Sequence, residues 1–218
     1  MSMEFLDPRN AADVAAVASL HAQYLGTSLI VRLGDRFLRR FYYRVLVEDD
    51  LIACTICRAD DRIVGFIAYT KYPNDFIARG VRRHFVLLAW VMLVSVVQRP
   101  RLLRQIWAAF LTMRTSREDV SRDPGGVGEG ISVATASEYR DYVVPETGKR
   151  MPEQLWDCMK QYFADAEFAR FFVYVAPGNV ASNRYCTAMG CRLVKTTLLG
   201  EPYHKFYYDF PRSRHAQS

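Results

Sequence analysis

Phe171-Phe-Val-Tyr-Val-Ala176, then Pro-Gly, then Asn179-Val-Ala-Ser-Asn-Arg-Tyr-Cys-Thr-Ala-Met-Gly190-Cys191 reads as a strand opening into a short helix. The first run is aromatic and β-branched, as strands prefer. Asn179 has a side-chain oxygen that can cap a helix start, and Gly190 can end the helix in the left-handed conformation that glycine adopts cheaply. Upstream, Ile131 to Ala136 reads as a strand and Pro152 to Ala166 as a helix with Leu155, Met159, Tyr162 and Phe163 on its apolar side. A strand–helix–strand unit across 131–176 implies a parallel pair.

Working outward, the N-terminal half begins with a short apolar edge strand, Met3 to Leu6. Apolar residues at 14, 17, 20 and 24 give Asp13 to Leu25 helical spacing, and Gly26 punctuates it. A second helix is expected from about Arg32 to Val47, with Leu33, Phe37, Phe41 and Val45 on one stripe. Leu51 to Arg58 and Arg62 to Tyr72 read as hairpin partners about an Ala59-Asp60-Asp61 turn, and Gly65 marks a bulge or a close backbone approach. Arg192 to Leu199 and Phe206 to Phe210 close the chain as two strands. The order is β-α-α-β-β-(insertion)-β-α-β-α-β-β: a mixed α/β sheet with helices on both faces, in one domain with a helical insertion at about 75–128.

The insertion concentrates the charge. Phe76 to Arg117 holds eight arginines, no lysine and no acid, so this segment carries +8 in a chain of net +6, and the rest is −2. Basicity confined to one element argues against general nucleic-acid binding. Phe85 to Val97 has only Ser95 as a polar residue, yet a membrane span needs ~20 residues, so a buried or interfacial helix fits better. Pro100 breaks it, Leu102 to Met113 is a second helical stripe, and Thr115 to Gly128 reads as a loop. The segment 79–114 has four readings: a lid over an acceptor, a contact with anionic lipid, a homodimer face, or packing against its own domain. At 218 residues and 50% apolar composition the chain supports a substantial core. The N-terminus lacks the layout of a secretory signal, and five cysteines make an odd count for a disulfide framework, so reduced thiols in a cytoplasm are expected. Four scattered histidines with no Cys/His spacing argue against a metal.

The 179–191 segment resembles the last signature of the GCN5-related N-acetyltransferase (GNAT) family: Asn, a small residue, an aromatic pair, three residues, Gly and an aromatic. The element order is similar to that family's fold outside the insertion. The resemblance implies a mixed sheet in which acetyl-CoA lies between two splayed parallel strands, its pyrophosphate on main-chain N–H groups at the start of the next helix. It places the thioester oxygen near the N–H of Val133, Ala134 or Thr135. Arg140 or Thr147 would open the phosphate loop, with Gly148, Lys149, Arg150 and Met151 entering the helix. With Arg140 as the opening, residues 141–147 are inserted; with Thr147, the family's Arg or Gln is missing. Asn179 and Asn183 are helix caps, CoA contacts, or both.

In the family a tyrosine at the second position of the pair protonates the leaving thiolate. Here the pair is Tyr185-Cys186, so the tyrosine stands one position early, about 100° round a helix. Cys186 is then a proton donor or a small buried side chain. Glu129 is the candidate base by position, or else a loop-end surface carboxylate. The implied function is transfer of an acetyl group from acetyl-CoA to a primary amine of a small molecule. The alternatives are a catalytically degenerate GNAT-fold binding protein and an N-acyltransferase taking longer chains from CoA or an acyl carrier protein.

Overall fold

The computed structural model describes residues 1–26, 28–73, 75–98, 126–198 and 201–211. The Pro100 break, the 102–113 stripe and the loop up to 125 lie outside those residues. Strands β1 (Ser2–Phe5), β2 (Ala53–Ala59), β3 (Arg62–Thr70), β4 (Val127–Thr135), β7 (Arg170–Val175), β8 (Arg192–Leu198) and β9 (Glu201–Asp209) form one sheet in the order β1-β2-β3-β4-β7-β9-β8. The β4–β7 pair is parallel and the other pairs in this sheet are antiparallel.

Local chemistry sets these elements. Asn10 Oδ1 accepts from the N–H groups of Ala12 and Asp13 at 3.1 and 3.3 Å, capping α1 (Ala11–Tyr24). Asp60 and Asp61 both take positive φ, 47° and 59°, in the two-residue turn whose twist matches paired strands. Beside Gly65 the β2–β3 register slips between Cys57 and Arg58. A Cβ at Gly65 would meet Met151 Sδ at 2.8 Å, so both readings of this glycine hold. Cys54 and Cys57 fall in separate cores on opposite faces of the sheet.

The helix expected over 32–47 is broken. Helix α2 (Leu29–Arg32) stops before Gly34, whose φ is 98°. The next short helix, α3 (Asp35–Phe37), widens into a π-helical turn at Leu38–Tyr42, and α4 (Val45–Glu48) follows. The aromatic content is the reason: a regular helix turns consecutive residues 100° apart, whereas Phe41, Tyr42 and Tyr43 are all fully buried here. Three further boundaries differ. Val127 and Gly128 belong to β4, not to a loop, and β9 begins at Glu201, well before Phe206. Residues 143–150 form a small hairpin, β5 (Val143–Val144) with β6 (Lys149–Arg150), for which the sequence carries no strand pattern.

Two cores flank the sheet. One gathers α1, the 35–46 aromatics and one face of β2–β4. The other gathers α7 (Met151–Asp165), the opposite face, and Cys186 and Cys191 from the end of the chain. Helices α5 (Phe76–Arg83) and α6 (Phe85–Gln98) lie between β3 and β4 in the chain, where a helical insertion is expected. Val91 is buried while Phe85, Val86, Trp90 and Leu93 are exposed. No helix among the described residues is long and apolar enough to cross a membrane.

Helix α7 presses directly on β4. A Cβ at Gly128 would overlap the Phe163 ring, and one at Gly130 would come within 2.7 Å of Val173. Gly128→Ala is expected to cost about 1–3 kcal/mol through overpacking. Urea unfolding checks this, and an unchanged midpoint would mean that α7 yields freely.

Candidate active site

The parallel ladder between β4 and β7 runs from Val127↔Arg170 to Gly130↔Val173 and stops, although β4 continues to Thr135. The two strands therefore part beyond Gly130. The cause is written into β4: its register with β3 slips between Ala68↔Ser132 and Tyr69↔Gly130, leaving Ile131 as the extra residue of a bulge. A bulge bends its strand and re-aims the residues beyond it. Past Ile131, the edge of β4 that faced β7 has no ladder partner, so some main-chain polar groups of 131–135 face the gap.

A cleft of about 220 Å³ fills this gap. One end is lined by His21, Leu25, Ser28 and Ile30 from the α1–α2 region, and the other by Asn179, Ser182, Tyr185 and Cys186. Gly130, Ile131, Ser132 and Val133 line its β4 side. Of the strand residues expected to meet a thioester, exposed Val133 lines the cleft, while Ala134 and Thr135 are buried beside it. Thr135 Oγ1 points to Met151 Sδ at 3.7 Å.

A polar cluster lies beneath the α1 end. His21 is 1% exposed, and its Nδ1 lies 2.5 Å from the Tyr43 hydroxyl, with Nε2 towards Ser28 Oγ at 3.5 Å. Burial lowers the His21 pKa to about 4, so the ring is neutral at physiological pH. Burial also pushes the Tyr42 and Tyr43 hydroxyls well above their ordinary value, and the Glu129 carboxylate adds to the effect on Tyr42. Ser132 Oγ lies close enough to oppose both shifts. Its approach nevertheless falls outside normal hydrogen-bond geometry, as does that of Tyr42 Oη. Glu129 itself sits on β4 between Thr70 and Phe172. It is half-buried behind Tyr42 and is not among the residues lining the cleft. Sequence reasoning missed His21, Tyr43 and Ser132. Only the burial of a lone histidine on an apolar helix face could have signalled them.

At the other end, Asn179 caps α8 (Val180–Ala188) by accepting from Ser182 N–H at 3.1 Å, and Gly190 closes it at φ 83°. Asn183 does scaffold work: its Nδ2 donates to the carbonyls of Ala176 and Asn179 at 3.0 and 2.7 Å, and Oδ1 meets His204 Nδ1 at 2.6 Å. The Tyr185 hydroxyl donates to the Pro152 carbonyl at 2.9 Å, tying α8 to the first turn of α7. Burial pushes the Cys186 thiol up to about 12.

The helix start expected to grip a diphosphate is already engaged. Thr147 and Gly148 N–H both donate to the Val144 carbonyl, at 3.2 and 2.9 Å, and Met151 N–H donates to the Tyr142 carbonyl at 3.0 Å. Lys149 N–H meets Thr147 Oγ1 at 3.3 Å, and Arg150 N–H meets Glu153 Oε2 at 3.1 Å. Pro152 has no N–H to offer. The cations are paired too: Lys149 Nζ with Asp157 at 2.7 Å and Arg150 with Glu153 at 2.7 Å. The Arg150 hydrogen bond holds the Glu153 carboxyl below its ordinary range. Arg140 is exposed and lies over the Tyr24 ring at 5.4 Å. Residues 141–147 occupy the β5–β6 hairpin and its approach.

No protein-family model matches the sequence, and no curated protein matches it. The architecture does match solved structures. It is similar to the ribosomal-protein-alanine N-acetyltransferase of Brucella melitensis at 12% identity and TM-score 0.55, over 96% of this chain and 100% of that one. It is similar to the PaiA N-acetyltransferase of Thermoplasma acidophilum in complex with coenzyme A, at 13% identity and TM-score 0.52, over 96% and 100%. An aminoglycoside acetyltransferase in complex with coenzyme A and kanamycin matches at 11% identity and TM-score 0.56, over 95% and 94%. At such identities the likeness defines architecture: the chain has the GNAT acyl-CoA N-acyltransferase fold.

Neutral His21 has a consequence for stability. Its folded pKa lies below the ordinary 6.5, so the unfolded chain binds the extra proton between the two values. The stabilisation is complete above pH 6.5 and declines as pH falls towards 4, by up to about 3 kcal/mol. His21→Gln should flatten that part of the profile. Urea midpoints between about pH 7 and 4.5 test this, and parallel profiles for the two proteins would refute it.

Proposed function

We propose that this chain is an N-acyltransferase moving an acetyl group from the thioester of acetyl-CoA to a primary amine of a small molecule. The parting of β4 and β7 at Gly130↔Val173 carries the reading, because it makes an open slot at the centre of an otherwise closed sheet. The thioester arm occupies that slot from the α8 end, and the amine enters from the α1 end. The nitrogen lone pair attacks the carbonyl carbon, the C–N bond forms, the C–S bond breaks, and the nitrogen gives up a proton as the thiolate takes one. Main-chain N–H groups of 131–135 meet the carbonyl oxygen as its charge grows. His21 and Ser132 receive the amine, and Glu129, behind Tyr42, accepts the nitrogen's proton through water.

For the thiolate, Cys186 is the nearer proton source in sequence register, since Tyr185 donates to the Pro152 carbonyl. A second reading, a GNAT-fold protein that binds a ligand without turnover, draws support from the engaged amides at 147–151. The exposed apolar side of α6, beside Arg82 and Arg83, keeps the homodimer and anionic-lipid readings of the insertion as further proposals.

Thiol release from acetyl-CoA across a panel of primary amines separates the two readings, and binding without release favours the second. Given turnover, Ser132→Ala should lower kcat/KM for the amine about tenfold, the worth of one hydrogen bond to the substrate. Cys186→Ala should lower kcat and leave donor affinity intact, and an unaltered kcat would remove the thiol from the mechanism. Glu129→Gln should change the pH–rate profile if the carboxylate assists deprotonation.

A further inference from the structure

Resting on the acyl-donor reading above, we propose that this chain recognises its donor through the pantetheine arm and thioester, and that the nucleotide diphosphate contributes little to binding. In a helix start that holds phosphate, unpaired N–H groups and the helix dipole face the anion. Here each main-chain amide from Thr147 to Met151 already donates within the protein, and position 152 is proline. The Glu153 carboxylate caps the Arg150 N–H, where an incoming phosphate would need the donor. Arg150 Nε also bonds Glu153, at 2.8 Å. Because arginine accepts no hydrogen bond, the cap is one-sided and the anion in it is the protein's own. A diphosphate arriving here meets a fixed carboxylate and two cations that already have partners.

A wall residue of the cleft, in contrast, carries an unused donor just beneath the surface. Trp156 is 3% exposed, lines the cleft, and its Nε1 has no hydrogen-bond partner among the described residues. A buried N–H without a partner is costly and rare. The Tyr185 ring packs edge-on against the indole at 5.7 Å, and Tyr185 is anchored on the Pro152 carbonyl, so the indole is held in place. A pantetheine arm carries two amide carbonyls, the acceptor that this N–H lacks. Specificity then lies with Trp156 and the unladdered edge of β4, and Glu153 selects against phosphate.

Titration calorimetry of the full chain with coenzyme A and with pantetheine tests this. The expected dissociation constants agree within about threefold. Trp156→Phe should weaken both ligands by a similar factor, about fivefold. Glu153→Gln should tighten coenzyme A at least fivefold and leave pantetheine unchanged. Coenzyme A binding a hundredfold tighter than pantetheine would overturn the inference and leave the acyltransferase reading standing. Binding of neither ligand would overturn both.

Discussion

The structure turns on a single interrupted ladder. Parallel strands buried between helices normally pair along their length, because a buried main-chain group without a partner is expensive. Here pairing stops at Gly130↔Val173, and the bulge at Ile131 converts what would be a fault into a slot. Before the bulge Gly128 and Gly130 face α7 and Glu129 faces the α1 core. After it Ala134 has joined the α1 core, while Thr135 reaches Met151 on α7. One inserted residue thus re-phases the strand and brings Ser132 to the cleft floor, while Glu129 stays behind it. The paired glycines share in the same arrangement, since they let α7 approach close enough to wall the slot.

The floor of the slot depends on the irregular helix. The π turn at Leu38–Tyr42 turns Tyr42 and Tyr43 inward together. Tyr43 meets His21, and Tyr42 stands before Glu129. His21 also stacks on Phe66, with ring centroids 5.7 Å apart, so the imidazole is fixed on both sides. A neutral, immobile imidazole beside two phenols suits a substrate that donates hydrogen bonds. When Nδ1–H donates to Tyr43, Nε2 is left with a lone pair on the Ser28 side.

How much of this is legible in the sequence depends on the range of each signal. Strands and helices that carry a regular period, β2, β3, α1, α7 and α8, stand within a few residues of their expected bounds, and Asn179 and Gly190 do what cap residues do. The parallel pair is implied by chain order alone. The 32–47 region departs from expectation because a stripe of Leu33, Phe37, Phe41 and Val45 satisfies a helical period, while the burial of neighbouring Tyr42 and Tyr43 depends on tertiary packing. The hairpin at 143–150 leaves no trace in the sequence because two-residue strands have no period. The cleft floor is equally silent, because His21, Tyr43 and Ser132 lie far apart in sequence and belong to no shared motif.

At the helix start that the resemblance reads as phosphate-binding, a local signal meets tertiary partners. Gly148-Lys149-Arg150 reads as a basic helix entry, and its residue types suit an anion. Yet Asp157, two turns into α7, returns to Lys149, and Glu153 returns to Arg150. These helix-surface carboxylates bring the balance near neutral at the very position where the sequence places a phosphate-binding charge. Gly148, at φ 65°, serves the turn between β5 and β6. Tyr185 extends the same logic. Shifted one position from the family's pattern, it spans from α8 to the first turn of α7 and braces Trp156. The same tyrosine thus joins two elements, through a main-chain carbonyl of α7 and through the face of the indole.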